Sequence, residues 1–321
     1  MNHISKLILE VLPPHEKIAV IDCGAAGGTE AIKWSVLGNR LILYGFDPDE
    51  AECEKLNSLA DSRGAQHAYY PICLAREDEK SRKFFITQRS GCNSFYQPDA
   101  DQTARWKSFM EGEIICAKDN FVIDKVITVE TTSLDSWADL NSITDVDFIK
   151  LDVQGAELEI LAGGKKLLKN VLGMEVEVEF IPLYIDQPLF ADLDIFIRAE
   201  GFSFFNFNFT HQGHFVGRTG SPITRFHESG KTFLPQIAGQ LATADALYLL
   251  DPIDHRYRNT HNLSITKILK LACIAEVHEQ IEYAFELLVW LCDQLIPIGQ
   301  VHEAEMVRQI YLRAKERYTG S

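Results

Sequence analysis

Over the first 250 residues, short runs of apolar and β-branched side chains alternate with stretches in which apolar positions recur every three to four residues. Continuous apolar runs suit strands buried on both faces, and the longer period suits the helices that cover them. The pattern therefore predicts an α/β fold: a Rossmann-like, doubly wound, mainly parallel sheet. The predicted strands are Ile18–Asp22, Leu41–Asp47, Ala65–Cys73, Phe148–Asp152, Gly173–Phe180, Ser203–Phe209 and Asp245–Leu250. The predicted helices are Glu30–Leu37, Glu50–Ser62, Ala156–Leu161, Lys165–Lys169 and Leu189–Glu200. About seventy residues separate the third and fourth strands, too many for one crossover. They predict an inserted β-hairpin with a short helix, part of a site. After "LYLLDP" the period becomes helical throughout, in "SITKILKLACIAEVHEQIEYAFELLVWLCDQL" and "EAEMVRQIYLRAKERY". Two domains are expected, an α/β domain over residues 1–251 and a C-terminal α-helical extension over 252–321.

Composition narrows the partners. The 321 residues are 46% hydrophobic, enough for a full core, and carry a net charge of -15. Residues 252–321 hold 8 Lys/Arg against 9 Asp/Glu, so the excess acid lies in the α/β domain. Phosphate neutralisation needs a basic face, so nucleic acid is not an expected partner. No apolar run approaches the ~18 residues of a membrane span, and the first twenty residues lack the pattern of a secretory leader. The expectation is a cytoplasmic protein. Its seven cysteines are scattered without a CxxC pair, which predicts reduced, packed thiols rather than disulfides or a zinc site. The apolar stripe of the extension must be buried, either on the α/β domain or on a second copy as a homo-oligomer.

Chemistry is concentrated first in "IAVIDCGAAGGTEAIKW", where a strand ends in an acid and turns through glycines into a helix. Glycines there let the backbone turn sharply and approach a ligand. The spacing fits the dinucleotide pattern GxGxxG poorly. Asp22, ahead of the glycines, would repel a phosphate and suits an ammonium, which favours S-adenosylmethionine. Asp47, 25 residues on and ending the next strand in "LILYGFDPDE", is suited to accept from both ribose hydroxyls. Asp22, Gly24, Ala25, Gly28 and Asp47 are thus the candidate cofactor-binding residues of the first turn and second strand. The bland alternative is that both acids cap the helices that follow them.

"DCGAAGG", "YGFDPD", "DVDFIKLDVQGAELEILAGG" and "VEVEF" together resemble the FkbM family of S-adenosylmethionine-dependent methyltransferases, over roughly residues 16–210. That family shows D-x-G-A-x-x-G, F-E-P and K-x-D-x-E-G-A-E-x-x-x-L. This chain has Ala26 where Asn is common, Asp47 for the usual Glu and Gln154 for a frequent Glu. The resemblance implies a class I methyltransferase fold and methyl transfer to a hydroxyl of a sugar, glycan or natural product.

An alcohol attacking a methyl group profits from a positioned base, and in open α/β sheets ligands sit at strand C-termini. Asp152 is the first candidate, as base, as a group orienting the acceptor, or as a cofactor contact. Glu179 and His211 follow. Lys150, two residues before Asp152 and on the same strand face, is expected to pair with carboxylates. Asn93 and Ser94, in "RSGCNSFY" of the insertion, are candidates to hydrogen-bond the cofactor or the acceptor as the insertion folds over the site; a bare hairpin turn is the alternative. Asp152 and Glu179 supply hard oxygen ligands for a divalent cation, but two acids are too few to predict a metal site. Two rival functions remain at this stage, a non-catalytic protein that keeps the cofactor fold and recognises a partner through its tail, and a nicotinamide-dependent oxidoreductase.

Overall fold

The computed structural model describes residues 3–105, 107–110, 113–208, 214–216, 240–256 and 263–319. Helix α1 (His3–Val11) leads into strand β1 (Ile18–Cys23), a glycine turn and helix α2 (Thr29–Lys33). Strand β2 (Leu41–Phe46), helix α3 (Glu50–Ser62) and strand β3 (Gln66–Tyr70) follow. An insertion then runs through β4 (Cys73–Ala75), β5 (Glu79–Thr87), α4 (Ala100–Arg105), β6 (Lys107–Met110), β7 (Glu113–Cys116), α5 (Ala117–Asn120) and β8 (Ile123–Ser133). The chain rejoins the core with α6 (Leu134–Leu140), β9 (Phe148–Leu151), α7 (Glu157–Ala162), α8 (Lys165–Leu168) and β10 (Gly173–Glu179). The sheet is completed by α9 (Phe190–Ala199), β11 (Phe202–Asn208), β12 (His214–Val216) and β13 (Gln240–Leu250). Helices α10 (Ile265–Val277), α11 (Ile281–Leu295) and α12 (Val301–Thr319) form the extension.

The strands of the main sheet lie in the order β3-β2-β1-β9-β10-β13-β11, with β12 paired to β13. Neighbours from β3 to β10 are parallel, and β13 runs antiparallel to both β10 and β11. The chain moves outward from β1 to β2 and β3, then returns to the other side of β1 with β9. That reversal opens a crevice beyond the C-terminal ends of β1 and β9, where an α/β sheet binds its ligands.

Three sequence expectations change. The strand expected over Ala65–Cys73 is two strands in two sheets: a tight turn at Pro71, closed by the Ile72 N–H on the Tyr70 carbonyl at 2.8 Å, separates β3 from β4. The expected hairpin is the antiparallel pair β5–β8, widened to three strands by β4, with a further ladder between β6 and β7. The helix expected over Glu30–Leu37 is α2 followed by a 3-10 turn over Trp34–Arg40.

The extension buries its stripe in the protein's own core. Residues Ile268–Glu276 of α10 are all buried, packed against α1 and β13. Two lysines of α10 fasten it electrostatically: Lys267 Nζ lies 2.7 Å and Lys270 Nζ 3.2 Å from the carboxylate of Asp147, which is fully buried. The same carboxylate accepts the Ala19 N–H of β1 at 3.0 Å. At the other end of α10, Glu276 accepts from the backbone N–H groups of Ile4 and Ser5, both at 2.7 Å. Those are orphan donors of the first turn of α1, so a residue 271 positions beyond Ser5 acts as their cap and meets the positive end of the helix dipole. Ser5 Oγ at 2.6 Å and Tyr318 Oη at 2.5 Å complete its shell. Glu276→Gln is expected to lower stability by about 1–3 kcal/mol, because one acceptor becomes a donor facing donors; a urea titration with an unchanged midpoint would contradict this. Among the described residues no helix is long and apolar enough to cross a membrane.

Candidate functional site

Strands β1 and β9 run side by side and their ends are stitched together, Asp152 N–H donating to Cys23 O at 3.0 Å. Gly24 leaves β1 with φ +87°, its N–H on Phe46 O at 2.9 Å, and Ala25 donates to the same carbonyl at 3.1 Å. A Cβ on Gly24 would lie 2.0 Å from the Asp152 carbonyl oxygen. Only glycine fits between the two strand ends. Gly27 also has a positive φ, +81°, but a Cβ there would meet nothing within 4 Å. Its N–H is held by Glu52 Oε1 at 3.2 Å, and Gly28 serves as the N-cap of α2.

Neither acid flanking this turn caps a helix. The first turn of α2 has no side-chain cap, and α3 is capped by Asp49, which accepts from Ala51 N at 3.0 Å and Glu52 N at 3.1 Å. Asp22 is buried, and burial pushes its carboxyl up to about 8; the carboxylates of Glu30, Asp152 and Asp47 add to the effect and Lys150 opposes it. Such a group ionises readily only when a cation arrives. Asp47, at the end of β2, accepts the Asp49 N–H at 2.9 Å and also bonds the backbone of Ala26, while burial raises its carboxyl above the usual range. Asp47 thus reaches back over the glycine turn.

On the other side of Asp22 lies a carboxyl-rich group. Lys150 Nζ sits 3.2 Å from Asp152 and 3.8 Å from Asp245, the pairing expected for a buried lysine. Against the pull of burial, Lys150 and hydrogen bonds from Glu177 and Gln154 hold the Asp152 carboxyl down at about 2. Its side chain is 44% exposed, so the anion faces the crevice. Gln154, in a left-handed conformation at φ +55°, donates from one amide nitrogen to Asp152 at 3.1 Å and to Glu177 at 2.6 Å. Burial, and next Asp152 and Glu179, push Glu177 well above the usual carboxylate range.

Glu179 is 1% exposed, with Oε2 unpartnered, and burial beside Glu157 and Asp152 pushes its carboxyl well above the usual carboxylate range. Glu157 is wholly buried; one oxygen accepts the Val153 N–H at 2.9 Å and burial lifts its carboxyl to about 7. Asn93 turns its carboxamide oxygen to Thr87 N at 2.9 Å, the hairpin-turn role. The Ser94 hydroxyl is enclosed, donating to Gln154 O at 2.6 Å and accepting from Tyr96 N at 3.0 Å. Ser94 thus ties the insertion to the loop that carries Gln154, while Asn93 closes its own turn. His211 lies outside the described residues. Among the described residues no group of three or more His, Cys, Asp or Glu side chains is arranged to hold a metal ion. Sequence reasoning passed over Glu177 and Gln154 as site residues. The signal for Glu177 was the alternation "EVEVE" in a strand otherwise expected to be apolar on both faces.

The model of the methyltransferase FkbM domain matches residues 22–204, more than half of the chain, from Asp22 of the glycine turn through β10 into β11. The chain belongs to the FkbM methyltransferase family. Its fold is that of the class I methyltransferases, and as a family member it is an S-adenosylmethionine-dependent methyltransferase. This FkbM chain is 29% identical over 189 residues to 2-O-methyltransferase NoeI of Sinorhizobium fredii (strain NBRC 101917 / NGR234), a match covering 56% of this chain and 72% of that protein. The crystal structure of Methyltransferase FkbM from Methylobacillus flagellatus KT aligns with 12% identity and a TM-score of 0.37, over 77% of this chain and 47% of that one. TrmK of M. capricolum, in complex with S-adenosylhomocysteine, aligns with 8% identity and a TM-score of 0.33 over 98% of each chain. This FkbM chain thus spans about half the length of the M. flagellatus protein.

Proposed function

We propose that this chain transfers a methyl group from S-adenosylmethionine to a hydroxyl of a sugar, glycan or natural-product acceptor, and that residues 1–251 carry the reaction. The observation that supports it best is the buried Asp22 beside a glycine turn that Asp47 closes from the opposite side. An acid held neutral by burial suits an incoming ammonium, and a half-buried carboxylate at the end of β2 suits a pair of ribose hydroxyls. When bound, S-adenosylmethionine supplies a methyl group on a positively charged sulfur, which departs with the electron pair of the broken bond. Gly24, Ala25 and Gly28 bring the backbone close, and Asp22 and Asp47 orient the two ends of the cofactor.

Asp152 is assigned the acceptor hydroxyl. An alcohol oxygen becomes strongly acidic as its new C–O bond forms, so a weakly basic carboxylate can take the proton late in the step, and alignment supplies much of the acceleration. Lys150, Gln154 and Glu177 keep Asp152 ionised and aimed. Asp152→Asn is expected to bind cofactor as the wild type does and to lose turnover by at least ~100-fold; His211→Ala, assayed beside it, tests the other base.

Isothermal titration with S-adenosylmethionine and S-adenosylhomocysteine, with NADH as control, tests the reading. Micromolar binding of the first two alone is expected, and Asp47→Ala should weaken both by ~10-fold or more, about 1.4 kcal/mol. Binding of NADH instead, or an unaltered affinity in Asp47→Ala, overturns the assignment.

A further inference from the structure

Gln154 occupies the position at which the chain departs from the frequent Glu of the motif it shares, and its surroundings give that departure a purpose. Its side chain and backbone are held from three directions. Tyr184 Oη lies 3.1 Å from the carboxamide oxygen, Ser94 Oγ donates to the backbone carbonyl at 2.6 Å, and the amide nitrogen reaches Asp152 and Glu177. Tyr184 is fully buried, and its hydroxyl also lies 3.0 Å from the carbonyl of Cys92. A flip of the carboxamide would set its oxygen against the acceptor oxygens of Asp152 and Glu177, so its N–H groups point at the two acids and its oxygen at the Tyr184 hydroxyl. The residue before Gly155 is moreover fixed in a left-handed backbone conformation that non-glycine residues rarely adopt. A strained, fully bonded side chain between two carboxyls is a positioning device.

We propose that Gln154 is a positioning residue that clamps Asp152 and Glu177 as a hydrogen-bonded acid–carboxylate pair, with Glu177 carrying the proton and Asp152 the charge presented to the crevice. Two carboxyls in contact cannot both ionise cheaply, and the pair must therefore divide its roles. The division is set by the neighbours. Lys150, from β9, sits against Asp152; Glu179 of β10 and Glu157 of α7 bear on Glu177; Asp22 and Asp245 lie beyond Lys150; and Tyr184 closes the far side. A glutamate at position 154 would add a third acid and remove both donors. The inference rests on the methyltransferase reading only for what Asp152 then does; the pair itself is testable in the protein without cofactor or acceptor.

The experiment is a carboxyl 13C NMR titration of the full chain labelled at Glu Cδ and Asp Cγ, with Glu177→Gln and Asp152→Asn assigning the two resonances. In the wild type, Glu177 is expected to keep the chemical shift of a protonated carboxyl through pH 7 while Asp152 stays ionised down to below pH 4. Gln154→Glu should move the Asp152 midpoint up by at least one pH unit and add a carboxyl that titrates above pH 6. Gln154→Met, which keeps the length but no donor, should raise the Asp152 midpoint without adding a titrating group. A wild-type Glu177 that ionises below pH 5 overturns the proposal without any variant. So do unchanged midpoints in variants whose folding is verified by circular dichroism. Titration of the wild type with S-adenosylmethionine, run in parallel, reports separately on the methyltransferase reading.

Discussion

Gly24→Ala is expected to abolish cofactor binding and to lower the melting temperature by roughly 5–10 °C, the drop that a loss of ~3–5 kcal/mol gives in a chain of this size. The methyl group would meet the backbone carbonyl of Asp152 at 2.0 Å, and neither partner is the loose end of a side chain. Relief requires prising β1 from β9 where their ends are joined, which displaces Asp152 together with the turn. The left-handed φ of +87° adds ~1–2 kcal/mol for any residue with a Cβ. Gly27→Ala isolates that second contribution, since its φ is similar and the space before it is open. Calorimetry and cofactor titration on the two variants check the argument. Equal, small effects from both would show that the strand junction yields and that Gly24 is a turn residue only.

Asp22→Asn should separate stability from binding, and in opposite directions. Burial raises the Asp22 carboxyl from 3.8 to about 8, so the fold prefers the protonated acid. An acid with a raised value in the folded state makes its full contribution at low pH, and that contribution is lost as pH climbs from about 4 to about 8. Four units of displacement correspond to at most ~5 kcal/mol. The cofactor-free variant should therefore match the wild type near pH 4 and exceed it by up to ~5 kcal/mol above pH 8, seen as a denaturation midpoint that no longer falls with pH. Binding moves the other way. A cationic ligand needs the ionised form, so wild-type affinity should rise up to tenfold per pH unit below about 8 and then level, whereas the variant binds weakly at every pH. A wild-type affinity independent of pH between 6 and 8 would remove Asp22 from the cofactor site.

The parallel core of the sheet and the glycine turn were legible in the sequence because local pattern determines them. Ile18–Cys23, Phe148–Leu151 and Gly173–Glu179 are strands buried on both faces, and they read as strands almost to the residue. Asp47 and Asp152 could be placed at strand ends for the same reason. What escaped depends on contacts distant in sequence. The short helix α1 has Ile4, Leu7 and Ile8 at helical spacing, but the acceptor for the Ile4 and Ser5 N–H groups is Glu276, far away in the sequence. The insertion looked like one hairpin because β4 is three residues long and pairs only through β8, with Cys73 opposite Thr131. Glu177 and Gln154 were passed over because an acid in a strand and an amide in a loop have no local signature of function. Their meaning comes from Asp152, which the fold brings against both.

The cap that Glu276 places on α1 also bears on the order in which the molecule can be assembled. Helix α1 is made before the elements it packs on: the acceptor for the Ile4 N–H follows 272 residues later, and α12, which also packs on it, later still. During synthesis the strands β1 to β3 can pair as they leave the ribosome, while the segment ahead of them waits with Ile4, Leu7 and Ile8 uncovered. Closing this contact spans 271 residues, and the entropic cost of so large a loop is smaller once other contacts have shortened it. A ribosome stalled before α10 would hold a chain whose glycine turn can form while Ile4, Leu7 and Ile8 have no partner to cover them.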